Sequence, residues 1–179
     1  MIYTSERLTL EELKPENLHD IHELHSIPAV DEHDTLGIPD SIQSTENLLN
    51  EWIREESAIP RISYHFCIRH RTTKQFIGLI SLKYGKINFR NAETWYKIHP
   101  DFWNQGITTE VLKALLKFAF LELGLHRVEA SCSVDNLASV RVLEKSGMTR
   151  EGIKRRILPI RGNWVDSYLY SILESEFEL

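Results

Sequence analysis

A chain of 179 residues, 42% of them hydrophobic, suits one globular domain over 1–179 with a sizeable core. No run approaches the ~20 apolar residues that cross a bilayer, and Glu6 and Arg7 interrupt the stretch where a secretory signal needs an apolar segment, so a cytoplasmic protein with no membrane partner is expected. The net charge of −5 is uneven: thirteen acids between Glu11 and Glu56 meet only Lys14 and Arg54, a net −11 that leaves +6 elsewhere. The basic part suits an anionic cofactor. The acidic part suits a cationic second ligand or merely solvates helix faces, and the overall sign excludes a nucleic-acid binder.

In chain order, residues 7–13 (RLTLEEL) alternate as a first strand. Pro15 opens a short helix carrying Leu18, Ile21 and Leu24. Residues 26–40, with Pro28, Gly37 and Pro39, form a loop or broken helix. A second helix spans about Thr45 to Glu56 on Leu48, Leu49, Trp52 and Ile53. Residues 63–70 and 76–84 make a hairpin around the turn RTTKQ. GKINFRN is a further turn, followed by the strand AETWYKI.

Pro100, which has no N–H to continue a ladder, closes that strand. The loop DFWNQG then leads into a helix with Val111, Leu112, Leu115, Phe118, Ala119 and Leu123 at helical spacing, stopped by Gly124. A strand that feeds a helix through a glycine-containing turn directs several free backbone N–H groups at one point, which attracts phosphate. This turn is therefore expected to hold a phosphorylated cofactor.

Downstream, residues 126–134 (HRVEASCSV) alternate as a strand with one apolar face. Asn136 caps the next helix, whose stripe is Leu137, Val140 and Leu143 and whose stop is Gly147. Residues 150–158 and 167–174 are two final strands around PIRGNW. This order predicts an α+β domain with mixed pairing, in which 95–98 and 127–134 are the natural parallel pair. Cys67 and Cys132 read as buried thiols without disulfide or metal spacing. His19, His22 and His25 have i, i+3 spacing and read as a solvated helix face rather than zinc ligands, and no metal is expected. His65 and His99 are expected to line an acceptor side.

The run Phe102, Trp103, Asn104, Gln105, Gly106, Ile107, Thr108, Thr109, Glu110, Val111 resembles the cofactor turn of GCN5-related N-acetyltransferases (GNAT). Within that superfamily it is similar to the ribosomal-protein N-terminal acetyltransferase (RimJ/RimL-like) branch. Further matches are Phe118-Ala119-Phe120, Leu123-Gly124-Leu125 with Arg127, Asn136 with Ser139, Leu143-Glu144-Lys145, Gly147, Glu151-Gly152 and the Gly162 to Asp166 spacing, and Glu6-Arg7-Leu8 fits weakly. Asn104 stands where the branch has glycine, which Asn tolerates well. Thr108 stands where it has alanine or glycine, so that a β-branched side chain meets the phosphate.

The resemblance implies a GNAT fold: a mixed, mostly antiparallel sheet of about seven strands flanked by about four helices, with a splayed parallel pair in which Tyr96–Ile98 parts from Cys132–Val134. It implies acetyl-CoA as co-substrate and direct acetyl transfer to a primary amine through a ternary complex. Asn104, Gln105, Gly106, Ile107, Thr108 and Thr109 would cradle the pyrophosphate, with Ile98, Asn136 and Ser139 along the pantetheine arm. A backbone N–H near Ile98 would stabilise the oxyanion. Ser139 would give the leaving thiolate a proton or hydrogen bond unless it only packs against the cofactor, Asn136 would orient the arm or a water unless it is a plain N-cap, and Glu93 would be the base unless it is a structural strand residue. A base used by some relatives falls near Leu158, which cannot serve. A lysine-type amine costs about 4–5 kcal/mol to deprotonate at pH 7 and an α-amine about one, so an α-amine acceptor needs only a modest base.

The expected acceptor is therefore a cationic amine, first a protein or peptide N-terminal α-amine. The alternatives are a small amine (polyamine, aminoglycoside or amino-acid derivative) or a non-catalytic acyl-CoA-binding module. Exposed aromatics such as Trp164 could serve a homodimer contact.

Overall fold

Among the described residues, eight strands pair into one sheet. The computed structural model describes residues 2–178; Met1 and Leu179 of the expected domain lie outside the described residues. The strands are β1 (Ile2–Thr4), β2 (Leu8–Glu12), β3 (Ser63–His70), β4 (Phe76–Tyr84), β5 (Asn91–Ile98), β6 (Arg127–Ser133), β7 (Thr149–Ile160) and β8 (Asn163–Leu173), in the order β1-β2-β3-β4-β5-β6-β8-β7. The helices are α1 (Leu18–His25), α2 (Pro28–Asp31), α3 (Ile42–Ser57), α4 (Ile107–Leu121) and α5 (Leu137–Lys145). Among the described residues no helix is long and apolar enough to cross a membrane.

Strand alternation divides the interior into two cores. Phe66, Ile68, Ile80 and Leu82 point to the face covered by α4, whose Val111, Leu112, Leu115, Leu116 and Ala119 are fully buried against them. Burying each large apolar side chain contributes about 1.5–3 kcal/mol relative to exposure. Cys67 and Leu79 point to the opposite face, against Ile21 and Leu24 of α1 and Leu49 and Trp52 of α3. Both thiols are buried as expected, and burial pushes Cys67 up to about 12 and Cys132 to about 11.

Helix α4 stops where the glycine predicts. Gly124 takes φ +61°, and the Leu125 amide bonds back to the Ala119 carbonyl at 3.0 Å. Helix α3 begins three residues before the sequence estimate, because Ser41 caps it through the Ser44 amide. The strand β1 was not anticipated, since three residues leave no period to read, and the short α2 is the helical part of the stretch read as a loop or broken helix.

One pairing differs from expectation in a way that makes the site. All pairs are antiparallel except β5–β6, and the parallel register covers only Asn91–Glu93 against Arg127–Glu129. The parallel pair is thus at 91–93, not 95–98. Beyond it β6 continues on β8 alone, and residues 94–98 face an open gap, as the resemblance implied. Gly78, opposite Ile98 on β4, lets the strands approach there, since a Cβ at Gly78 would run into the Lys97 carbonyl.

Candidate active site

At the end of β5 the chain makes one 3-10 turn, Pro100–Phe102, then the left-handed pair Asn104 (φ +58°) and Gly106 (φ +74°) before α4. Asn104 adopts the backbone angle that its glycine counterpart would allow, so that substitution keeps the turn. The Gln105 side chain donates to the Asp101 carbonyl at 2.7 Å and closes the loop. Glu110 N–H to the Gly106 carbonyl, 3.0 Å, is the first bond of α4. Among the described residues no acceptor meets the amides of Asn104 through Thr109. These amides surround the positive end of a fifteen-residue helix. Such an arrangement can hold a diphosphate without any lysine in the loop.

The guanidinium of Arg7 lies behind this turn. Its Nη1 and Nη2 each donate to the Gln105 carbonyl at 3.3 Å, and its Nε donates to Glu110 Oε2 at 2.7 Å. Glu110 Oε1 accepts from the Arg7 amide at 2.9 Å and the Ser5 hydroxyl at 2.7 Å. These bonds, the hydroxyl's first, outweigh burial and hold the Glu110 carboxyl below its ordinary range.

Where β5 and β6 part, a cleft of about 380 Å³ opens, bounded by residues of β5, β6, α3, α5 and the loop 30–36. Ser139, on the first turn of α5, places its hydroxyl 2.7 Å from Tyr96 Oη across the cleft. Burial raises the Tyr96 phenol well above its ordinary value, so it remains a proton donor at any physiological pH. The Asn136 Oδ1 accepts the Ser139 amide at 3.0 Å, so Asn136 is the N-cap of α5 while also lining the cleft. Ile98 turns its carbonyl onto the Trp103 indole N–H, 2.7 Å, rather than onto β4. In an extended strand the N–H and C=O of one residue lie along the same edge, so the Ile98 amide also faces the gap.

Glu93 is exposed, lies at the last parallel rung and accepts the Ser131 hydroxyl at 3.0 Å. It does not line the cleft, whereas Ser131 does. Leu158 lines the cleft, so the position to which the resemblance assigns a base carries an aliphatic side chain.

The far end of the cleft is aromatic. Trp52 of α3 lies 5.4 Å from Trp95 of β5, and the buried His65 stacks on Trp52 from behind at 5.2 Å. His65 reaches Glu55 at 3.2 Å; burial drops it to about 4 despite that carboxylate. Of the thirteen acids between Glu11 and Glu56, only Asp34 lines the cleft, ion-paired to Lys97 from β5. The others sit on helix faces, in ion pairs elsewhere or outside the cleft walls, so the acidic stretch does not form a charged funnel.

The histidines also differ from expectation. His22 bonds Thr45 of α3 at 2.8 Å, and His25 is buried edge-on against Trp52. These two pack against α3 rather than forming a solvated face, whereas His19 is exposed as expected. Burial first, then the Lys97 charge, lowers His25 to about 4. His99 accepts the Asp101 amide at 3.3 Å in the turn after β5 and does not line the cleft. Among the described residues no three His, Cys, Asp or Glu could hold a metal ion.

Sequence reading missed Tyr96, Asp34, Lys97 and the role of Arg7. Tyr96 and Lys97 were legible only as alternating strand residues, and Asp34 as one acid among thirteen. Arg7 had its place in the weak Glu6-Arg7-Leu8 match and no other signal.

The sequence profile of the acetyltransferase (GNAT) domain matches residues 7–149. An uncharacterised N-acetyltransferase of Bacillus subtilis, YnaD, is 39% identical over 85 residues, 48% of this chain and 50% of that protein. A probable N-acetyltransferase of the same organism, YjcK, is 37% identical over 116 residues, 64% of each chain. The chain thus spans half to two thirds of the length of these relatives. Among solved structures, a Bacillus anthracis GNAT acetyltransferase superposes with TM-score 0.85 at 28% identity, over 98% of this chain and 100% of that one. A Vibrio cholerae spermidine N-acetyltransferase in complex with CoA and spermine gives 0.85 at 25%, covering 97% and 99%. With the profile covering most of its length and the splayed-strand fold in common, the chain belongs to the acetyltransferase (GNAT) family.

Proposed function

We propose that this protein is an acetyl-CoA-dependent N-acetyltransferase whose acceptor is the α-amine of a protein or peptide N-terminus, in the manner of the ribosomal-protein branch. The observation that carries the acceptor class is the charge of the cleft. Asp34 is the one carboxylate among its described lining residues, and Lys97 already neutralises it. A polyamine carries several cations and needs several carboxylates; a peptide N-terminus presents a single amine. The Trp52, Trp95, Leu36 and Leu48 side chains suit an uncharged first residue.

The residues divide the work as follows. The amides of 104–109 hold the diphosphate, and the open edge of residues 94–98 receives the pantetheine as an added strand. The Ile98 amide donates to the thioester oxygen as it gains charge. As the amine nitrogen bonds to the acetyl carbon and the carbon–sulfur bond breaks, Ser139, backed by Tyr96, gives the departing sulfur a proton; solvent then reprotonates Ser139 and takes up the proton that Glu93 receives from the amine. The amine proton leaves through Ser131 or a water to Glu93. Fixing both substrates in one cleft supplies ~7 kcal/mol or more of the barrier.

The test is CoA release with acetyl-CoA and three acceptors: peptides with free N-termini, the same peptides N-formylated, and spermidine. Turnover should require the free α-amine, and Asp34→Asn should raise the peptide KM about tenfold with the acetyl-CoA KM unchanged. A higher kcat/KM for spermidine than for every peptide would replace the peptide reading with the small-amine one. No release with any amine would leave a CoA-binding module.

A further inference from the structure

The donor turn contains two residues with positive φ, and its internal side-chain bonds, from Gln105 to the Asp101 carbonyl and from Trp103 to the Ile98 carbonyl, do not hold the 105–106 peptide. Gly106 in particular can rotate at little cost, and a rotated 105–106 peptide would present a carbonyl to an incoming diphosphate instead of an amide. The lock comes from a hundred residues away. The β1–β2 hairpin is tied by Ser5 N–H to the Leu8 carbonyl, 3.0 Å, and by the Ser5 hydroxyl accepting the Leu8 amide, 3.2 Å. The Arg7 carbonyl is held by the Arg71 amide at 2.7 Å. Arg7 is thereby presented to the N-terminus of α4 on a fixed backbone. Both terminal nitrogens converge on the Gln105 carbonyl at 3.3 Å. In a trans peptide the C=O and N–H point in opposite directions. Pinning the Gln105 oxygen towards Arg7 therefore turns the Gly106 N–H away from it, to the open side of the turn.

The second element is charge. Glu110 lies in the first turn of α4, where a lone carboxylate would repel a diphosphate at the same helix end. Its Oε2 is taken by the Arg7 Nε and its Oε1 by the Arg7 amide and Ser5 hydroxyl. The pair is nearly neutral as seen from the turn.

We propose that Arg7 is a positioning residue for the donor diphosphate: it locks the Gln105–Gly106 peptide in the amide-outward orientation and cancels the Glu110 charge beside the cradle. It acts on donor affinity, not on the acetyl-transfer step, and it rests on the donor-turn reading above.

The experiment compares Arg7→Met and Arg7→Lys with the unaltered protein, using acetyl-CoA and S-acetylpantetheine, a thioester that lacks the diphosphate. Arg7→Met should raise the acetyl-CoA KM at least ~10-fold with kcat at saturating donor within about twofold. The ratio of kcat/KM for acetyl-CoA over S-acetylpantetheine should fall by the same factor. Arg7→Lys keeps the Glu110 pair but not the fork on Gln105, so its loss should be intermediate, about threefold; it carries the test if Arg7→Met does not fold. An unchanged ratio in these variants, whether from no loss or from equal loss with both donors, overturns the proposal. Gly106→Val is measured alongside. If it loses CoA affinity while the Arg7 variants do not, Arg7 alone fails; if it keeps CoA affinity, the donor-turn reading falls and this proposal with it.

Discussion

The proposed donor side and the proposed acceptor side of this cleft are built in different ways. Most of the donor side is one continuous stretch, β5 through α4, followed after β6 by the start of α5, and its key groups are backbone amides placed by two positive-φ residues and a helix start. The acceptor side is assembled from the loop 30–36, from Leu48 and Trp52 of α3, from Trp95 and Lys97 of β5, and from Leu158 of β7, and its key groups are side chains. A diphosphate has fixed charge and shape, so a local backbone motif suffices to hold it. An acceptor is distinguished by size and charge, which only side chains brought together from distant segments can match. One side is therefore built within a short stretch of sequence, while the other needs segments far apart in the chain.

Three perturbations would break or sharpen that contrast. The largest effect belongs to Gly106→Val. A β-branched residue at φ +74° is strained by at least ~1–2 kcal/mol, although the nearest side-chain atom to a new Cβ, on Arg7, is 3.9 Å away and gives no clash. CoA affinity by calorimetry should fall at least ~100-fold while the folded circular dichroism spectrum persists. Retained affinity would place the donor elsewhere and dissolve the distinction.

Next comes the seam between the two sides. Ser139→Ala should lower kcat about 100-fold with the CoA dissociation constant nearly unchanged. Tyr96→Phe should cost about tenfold, because Ser139 then loses its 2.7 Å partner. The double variant should be no slower than Ser139→Ala, since the two hydroxyls act as one unit. Additive losses would mean that Tyr96 acts independently of Ser139.

The smallest effect is a pH dependence of stability on the acceptor side. His25 and His65 titrate at about 4 in the folded protein, against ~6.5 when unfolded. Between those values the unfolded chain binds their protons, so stability is lost as pH falls through that window. Glu56 works in the opposite sense. Burial, opposed by the His65 amide bond, lifts it to about 7, so between ~4.5 and ~7 the folded state takes up the proton and gains stability on acidification. His25→Phe removes one contribution of the first kind. From pH 7.5 to 5.0 the variant should lose about 2 kcal/mol less than the parent in urea unfolding. Equal losses would show that His25 is not buried in its neutral form.

Legibility followed the same division. Strands β3 and β4 were read to the residue, because eight or nine strand formers bounded by turn residues leave little freedom of assignment. Helix α4 and its glycine stop were read from periodicity. The loop 26–40 was read only as irregular, yet it carries Asp34 and Leu36 into the cleft. Irregular backbone has no period, and its position is set by what it packs on. The same holds for the histidines of α1: i, i+3 spacing gives a face, but not whether that face meets water or α3.

By itself the amino-acid order determined the local elements, the left-handed turn at Asn104–Gly106 and the cap at Asn136, because these depend on dihedral preference and on neighbours within a few residues. Tertiary structure alone decided where the parallel pair ends, which single acid of thirteen enters the cleft, and that Arg7 stands behind Gln105. Those facts depend on residues 36 to 98 positions apart meeting in space, and no short-range rule of the chain encodes such meetings.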